Sequence, residues 1–205
     1  LVRLNEANIS IEPAVALQPQ EVTRLADNAA PRRTQAFAVS EGFFELFGLP
    51  MTLGGFTHDQ FVANGPPVIV ISNRVWRTEF NSDPAIVGKP IRFAEVTTTI
   101  AGVAPAGFDT PHNADFWGNL RINPTDVGHV FEAYMRVKPG TTIERARSEM
   151  AGVMATVARD YPASAKSRIS VVNPLVDPII GDLRPILIVV LSATGLLLVL
   201  ACVNV

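Results

Sequence analysis

Cysteine is almost missing from this chain: one residue in 205, Cys202, and it lies inside a hydrophobic run at the C-terminal end. That excludes a disulfide framework and a cysteine-rich zinc site. A cysteine-free domain also suits an oxidising compartment. Charge is sparse as well. Only 18% of residues are Asp, Glu, Lys or Arg, and 17 basic against 19 acidic side chains leave a net charge of −2. Nothing here resembles the basic footprint of a nucleic-acid binder. There is no Gly-x-Ser-x-Gly elbow and no Gly-Lys-Ser/Thr phosphate loop. Apolar residues, in contrast, make up 48% of the chain, enough to exclude disorder and to fill one large or two small cores.

The apolar weight is uneven. From Ile186 to Val205 the chain reads ILIVVLSATGLLLVLACVNV, twenty residues without a charge. As a helix the run spans roughly 30 Å, the thickness of a bilayer's hydrocarbon core. Its Leu, Ile and Val outweigh Ser192, Thr194, Gly195 and Asn204 on insertion scales. A transmembrane helix is therefore expected, the alternative being a buried helix of a large soluble protein. The small residues suit close packing of membrane helices, and Asn204 could bond to a neighbour, which suggests a bundle. Because the chain starts at Leu1 and stops within the apolar run, a fragment of a longer protein is expected.

Upstream, the local signals describe a mixed α and β domain. Ala14 to Gln18 and Glu21 to Ala26 read as short extended segments, and Thr34 to Val39 as a firmer strand. Ser40 is placed to cap a two-turn helix whose Phe43, Phe44, Leu46 and Phe47 form an apolar face, and Gly48 to end it. Leu53-Gly54-Gly55-Phe56 reads as a turn rather than a phosphate cradle. Val68 to Ile71 is a β-branched run expected to be buried on both faces, followed by a helix to Phe80 capped by Ser72 or Asn73. Strands follow at Ile91 to Ala94 and Thr97 to Val103. Phe131 to Val137 alternates, with Phe131, Ala133, Met135 and Val137 assigned to the inner face and Tyr134 to the wet one. Thr141 or Thr142 caps a helix to about Asp160, with Ile143, Ala146, Met150, Val153 and Val157 at helical spacing. Strand then helix suggests half of a ferredoxin-like split βαβ. A last strand, Arg168 to Leu175, leads through a connector to the apolar run.

Candidate chemistry is thin. His58, His112 and His129 are far apart, and Asp109, His112 and Asp115 form the one conceivable ligand group, read more simply as a solvated loop. Glu144/Glu149 and Asp177/Asp182 are read as helix-start and juxtamembrane charges. Arg145 and Arg147 fall on a solvated helix side. Phe43, Phe44, Phe47, Phe108, Phe116 and Trp117 are core candidates, with partner docking as the alternative. No catalytic, cofactor-binding or metal residue is assigned, and no enzyme activity is expected.

Four segments, in order, carry a resemblance: Val39-Ser40-Glu41-Gly42-Phe43-Phe44-Glu45-Leu46-Phe47-Gly48, Val70 to Trp76, Asp83 to Lys89, and Ile100 to Phe108. Together with Val137-Lys138-Pro139-Gly140-Thr141-Thr142-Ile143-Glu144-Arg145-Ala146, they resemble the periplasmic core domain of MacB-like ABC transporter permeases of the FtsX type. Leu200 to Val205 is similar to the start of that family's second membrane helix. Gly54-Gly55-Phe56 departs from the family, which commonly has an Arg after its Leu-Gly pair. The resemblance implies an α+β fold: a ferredoxin-like porter-type domain with an inserted small α/β lobe, then a transmembrane helix. The expected boundaries are 1–66 and 126–180 for the two parts of the porter-like domain, 67–125 for the lobe and 185–205 for the membrane helix. It further implies residence in a bacterial inner membrane with residues 1–180 periplasmic, further membrane helices of the same permease, an ABC ATPase subunit or domain, an optional periplasmic adaptor, and a dimer. The function implied is to pass ATP-driven movement to export or efflux, the alternative being a membrane-anchored sensor or ligand-binding module.

Overall fold

The computed structural model describes residues 2–7, 10–26, 29–94, 96–111, 113–122, 132–160, 188–195 and 199. The strand expected from Arg168, the connector Asp177 to Arg184, His112 and His129 lie outside them. The chain divides into two units, Leu1–Ser167 and Arg168–Val205. In the second, residues 188–195 are helical with exposed apolar side chains. The Ser192 hydroxyl donates to Ile188 O (2.6 Å) and that of Thr194 to Val190 O (2.9 Å), so both polar groups are satisfied within the helix. No helix among the described residues is long and apolar enough to cross a membrane.

The first unit is built on one mixed sheet. Its strands are β1 (Val15–Ala26), β2 (Ala29–Val39), β3 (Leu53–Gly54), β4 (Val68–Ile71), β5 (Pro90–Arg92), β6 (Thr97–Val103), β7 (Phe116–Asn119) and β8 (Glu132–Tyr134). They are ordered β3-β6-β4-β7-β2-β1-β8, with β5 also on β6. The β4/β6 and β2/β7 pairs are parallel and the rest antiparallel. Among the described residues, four α-helices accompany it: α1 (Val2–Glu6), α2 (Phe43–Phe47), α3 (Asn73–Glu79) and α4 (Ile143–Asp160). The ladder β4-β7-β2 runs without a break between segments assigned above to the lobe and to the porter-like part.

Alternation along the strands sends successive side chains to opposite faces, and each face has its own core. One face gathers Leu17, Phe37, Val39, Val70 and Trp117 against Phe43, Phe44 and Phe108, under α2. The other gathers Ala36, Ile69, Ile71, Ile100 and Phe116 against Val75 of α3, with Ile86, Ile91 and Phe93. Val68–Ile71 is buried at all four positions, as a doubly covered strand requires. The aromatic residues read as core candidates are core: five are buried, and Phe47 is half-buried against Phe43 and Phe108.

Ser72 caps α3, its hydroxyl accepting from Val75 N at 3.1 Å, and Thr142 accepts from Arg145 N at 3.3 Å at the start of α4. Ser40, in contrast, does not cap α2. Its buried hydroxyl accepts from Ala16 N (2.8 Å) across the sheet, and Gly42, at φ 84°, takes the cap position. Gly48 ends α2 in the left-handed conformation (φ 67°), its N–H donating to Glu45 O.

Three further expectations shift. The two segments assigned before and after residue 19 are one strand, β1. Ala16 hydrogen-bonds toward Ser40 on the β2 side, so Pro19 turns its missing donor to the opposite edge, where β8 reaches only Leu17. The Gly54-Gly55 pair belongs to a strand contact rather than a free turn: Gly54 lies opposite Gly102, and Gly55 N donates to Ala101 O at 3.0 Å. Tyr134 is not on the wet face. It pairs with Val15, so it shares that residue's face and stacks on Phe43, with ring centroids 6.4 Å apart, whereas Ala133 is exposed.

Candidate functional site

α3 has seven residues and covers only part of its sheet face. Beyond it lies a groove of about 290 Å³ whose floor includes Ala36, Ala38 and Gly118. Gln20 and Val22 of β1 line one side and Phe93 and Val96 of the β5–β6 hairpin the other. Among the described residues, Arg121 is the one ionisable residue lining it, and its guanidinium donates to Gly65 O at 2.8 Å. Asn119, also in the lining, is occupied structurally: its Oδ1 accepts from Val68 N (3.0 Å) and its Nδ2 donates to Gln60 O and Pro66 O. The groove is thus an apolar slot with one cation on its wall.

A polar cluster ties α3 to the β1–β2 hairpin. The Asp115 carboxylate, buried, accepts from Arg74 Nη2 (2.5 Å), Thr34 Oγ1 (3.2 Å) and Ser72 Oγ (3.3 Å), while Asp115 O accepts from Ser72 N. At the other end of α3, Arg24 pairs with Glu79 and lies 5.3 Å from the Phe80 ring centre. Burial lowers the pKa of Arg24 from its usual value, with Asp115 acting in the opposite sense. Asp115 therefore works as a structural acceptor. Asp109 offers its carbonyl to Ala114 N, and among the described residues no three His, Cys, Asp or Glu side chains converge as metal ligands. His58 Nδ1 lies 2.7 Å from Glu41 Oε1 on the surface, and this hydrogen bond raises the pKa of the imidazole.

The third feature joins the two ends of the first unit. Residues 10–12 lie along 136–138: Glu12 N donates to Arg136 O (2.8 Å), Lys138 N to Ser10 O (3.0 Å), and Ile11 bridges Val137. α1 packs on α4. The Glu149 carboxylate of α4 accepts from Ser10 N at 2.7 Å with one oxygen and from Arg145 Nε at 2.9 Å with the other. Glu149 is thus a tertiary acceptor rather than the helix-start charge expected. Arg145 and Arg147 are exposed, as expected.

The Ser10 N–H, followed by Arg145, pulls the pKa of Glu149 from 4.5 down to about 2. A carboxylate depressed by folding stabilises the native state above its unfolded pKa and loses that effect as pH falls through its folded one. The contact should therefore be whole above about pH 4.5 and released near pH 2. A carboxyl-resolved NMR titration of Glu149 should give a midpoint near 2, and a midpoint at the ordinary 4.5 would contradict the contact.

The sequence offered little sign of these clusters. Arg24 and Glu79 are 55 positions apart and Ser10 and Glu149 are 139 apart, so no local spacing joins them. Asp115 stood out only beside a histidine.

No curated protein matches the chain. Among solved structures, the periplasmic region of MacB from Actinobacillus actinomycetemcomitans aligns with a TM-score of 0.58 at 12% identity, over 78% of this chain and 71% of that one. The extracellular domain of the noncanonic ABC-type transporter YknZ from Gram-positive bacteria aligns with a TM-score of 0.58 at 13% identity, over 78% of this chain and 83% of that one. At such identities these likenesses speak to the fold, a mixed α/β domain on one mixed sheet. The family pattern of the MacB-like periplasmic core domain, a domain of ABC transporter permeases, matches residues 2–153. Spanning most of the chain and agreeing with the fold, that match means that the protein belongs to the MacB-like periplasmic core domain family.

Proposed function

We propose that the chain is the extracytoplasmic domain of an ABC transporter permease that carries movement generated by cytoplasmic ATP hydrolysis to export or efflux, with no chemistry of its own. The observation that carries this reading is the uncharged run Ile186 to Val205 following a MacB-like domain in one chain. On this reading residues 185–205 form a membrane helix, residues 1–180 lie outside the cytoplasm, and the connector Asp177 to Arg184 transmits motion. The porter-like parts, 1–66 and 126–180, flank a lobe at 67–125. The partners are the remaining helices of the permease, an ABC ATPase and a second permease copy, with an adaptor where export crosses a second membrane. The apolar groove favours a second reading, a membrane-anchored sensor or ligand-binding module.

Single-cysteine labelling of the complete protein, with Cys202 replaced by Ser, tests both. A cysteine at Val62, which is 47% exposed, should react with an impermeant maleimide from outside the cell, and one at Val190 should be shielded by lipid. A cysteine at Gly181 should change its labelling rate several-fold under ATP turnover. A rate indifferent to ATP would overturn mechanical coupling, and rapid aqueous labelling of Val190 would overturn the membrane helix.

A further inference from the structure

We infer that Glu149 is a positioning residue that locks the N-terminal segment at residues 10–12 to α4, so that displacement of either is passed to the other. The inference rests on the permease reading, since a domain that relays movement needs its N-terminal segment tied to the helix packed beside it.

The ladder between residues 10–12 and 136–138 ends at the Pro139-Gly140 turn. Gly140 adopts φ 79°, and among the described residues, its two chain neighbours aside, no atom lies within 4 Å of where its Cβ would stand. α4 begins three residues later, and the bond from Ser10 N to Glu149 Oε2 spans the turn, fixing α4 to the ladder on its far side. The Glu149 side chain is only 26% exposed, and Arg145 one turn earlier orients its second oxygen. The same ladder reaches inward, because the Arg136 guanidinium donates to Leu46 O of α2, beside the aromatic core.

The test uses the complete permease with its ATPase in lipid nanodiscs. Glu149→Ala should speed amide exchange at residues 10–12 on the order of 10- to 100-fold, the loss of one charge-assisted hydrogen bond. Spin labels at Val62 and Ile188, with Cys202 replaced by Ser, should show an ATP-dependent distance change in the parent protein. That change should shrink in Glu149→Ala while ATP turnover holds and the melting midpoint falls by a few degrees with the lost contact. Glu149→Gln, which keeps an acceptor, and Arg145→Ala, which leaves the Ser10 bond, should both stay near the parent. Unchanged exchange in Glu149→Ala would overturn the lock. Faster exchange with an undiminished distance change would overturn its transmitting role. If the parent protein shows no ATP-dependent distance change, the permease reading fails and the transmitting role with it, while the exchange result still reports the contact.

Discussion

Replacing Trp117 by Ala should cost the domain about 3–5 kcal/mol, the range for truncating a large buried aromatic side chain. Trp117 has no exposed surface. Its ring centre stands 5.6 Å from those of both Phe44 and Phe108, the first contact edge-on. Its indole N–H donates to Thr110 O at 2.9 Å. Truncation removes the largest fully buried side chain of the aromatic cluster and leaves a carbonyl unpaired. For a domain of this size the melting midpoint should fall on the order of 10 °C, read by calorimetry. Trp117→Phe keeps the ring contacts and loses the donor, so about 1–3 kcal/mol is expected. Equal effects of the two variants would mean that the ring contacts contribute little.

Gly102→Ala should destabilise by about 2–3 kcal/mol, in the upper range for overpacking. A Cβ there would lie 2.5 Å from Gly55 N and 2.7 Å from Leu53 O, both backbone atoms. Backbone cannot rotate aside as a side chain can, so β3 must part from β6. Exchange of the Gly55 amide, which donates to Ala101 O, should rise with the loss of stability. Gly152 of α4 provides the opposite sign. Its Cβ would meet nothing within 4 Å, so Gly152→Ala should gain up to about 1 kcal/mol from helix propensity. Denaturant unfolding of the two variants measures both shifts.

Residues whose conformation is decided by their neighbours in sequence were legible. Val68–Ile71 declared a doubly buried strand, and Ser72 capped the helix after it as its hydroxyl allows. Positions decided by pairing were not. The alternation at Glu132–Tyr134 is visible in the sequence, but its phase depends on Val15, more than a hundred residues away. Ser40 has the chemistry of a cap and is claimed instead by the Ala16 amide on β1. Pro19 looks like a strand breaker until the strand beside it is known to end at Leu17. The groove was hidden for a related reason: Ala36, Ala38 and Gly118 come from two strands and acquire a common floor only once β2 and β7 pair.

The ladder between residues 10–12 and 136–138 also bears on how the domain is made. Ribosomes release a chain from its N-terminus at about 5–20 residues per second. Residues 10–12 therefore wait several seconds for their partners, and the β1 edge that β8 will cover stands open for as long. Such late, non-local closure slows folding and leaves an edge available to other nascent chains. Pro19 and Glu21, on the stretch of β1 beyond the reach of β8, are the residue types that discourage wrong pairing during the wait.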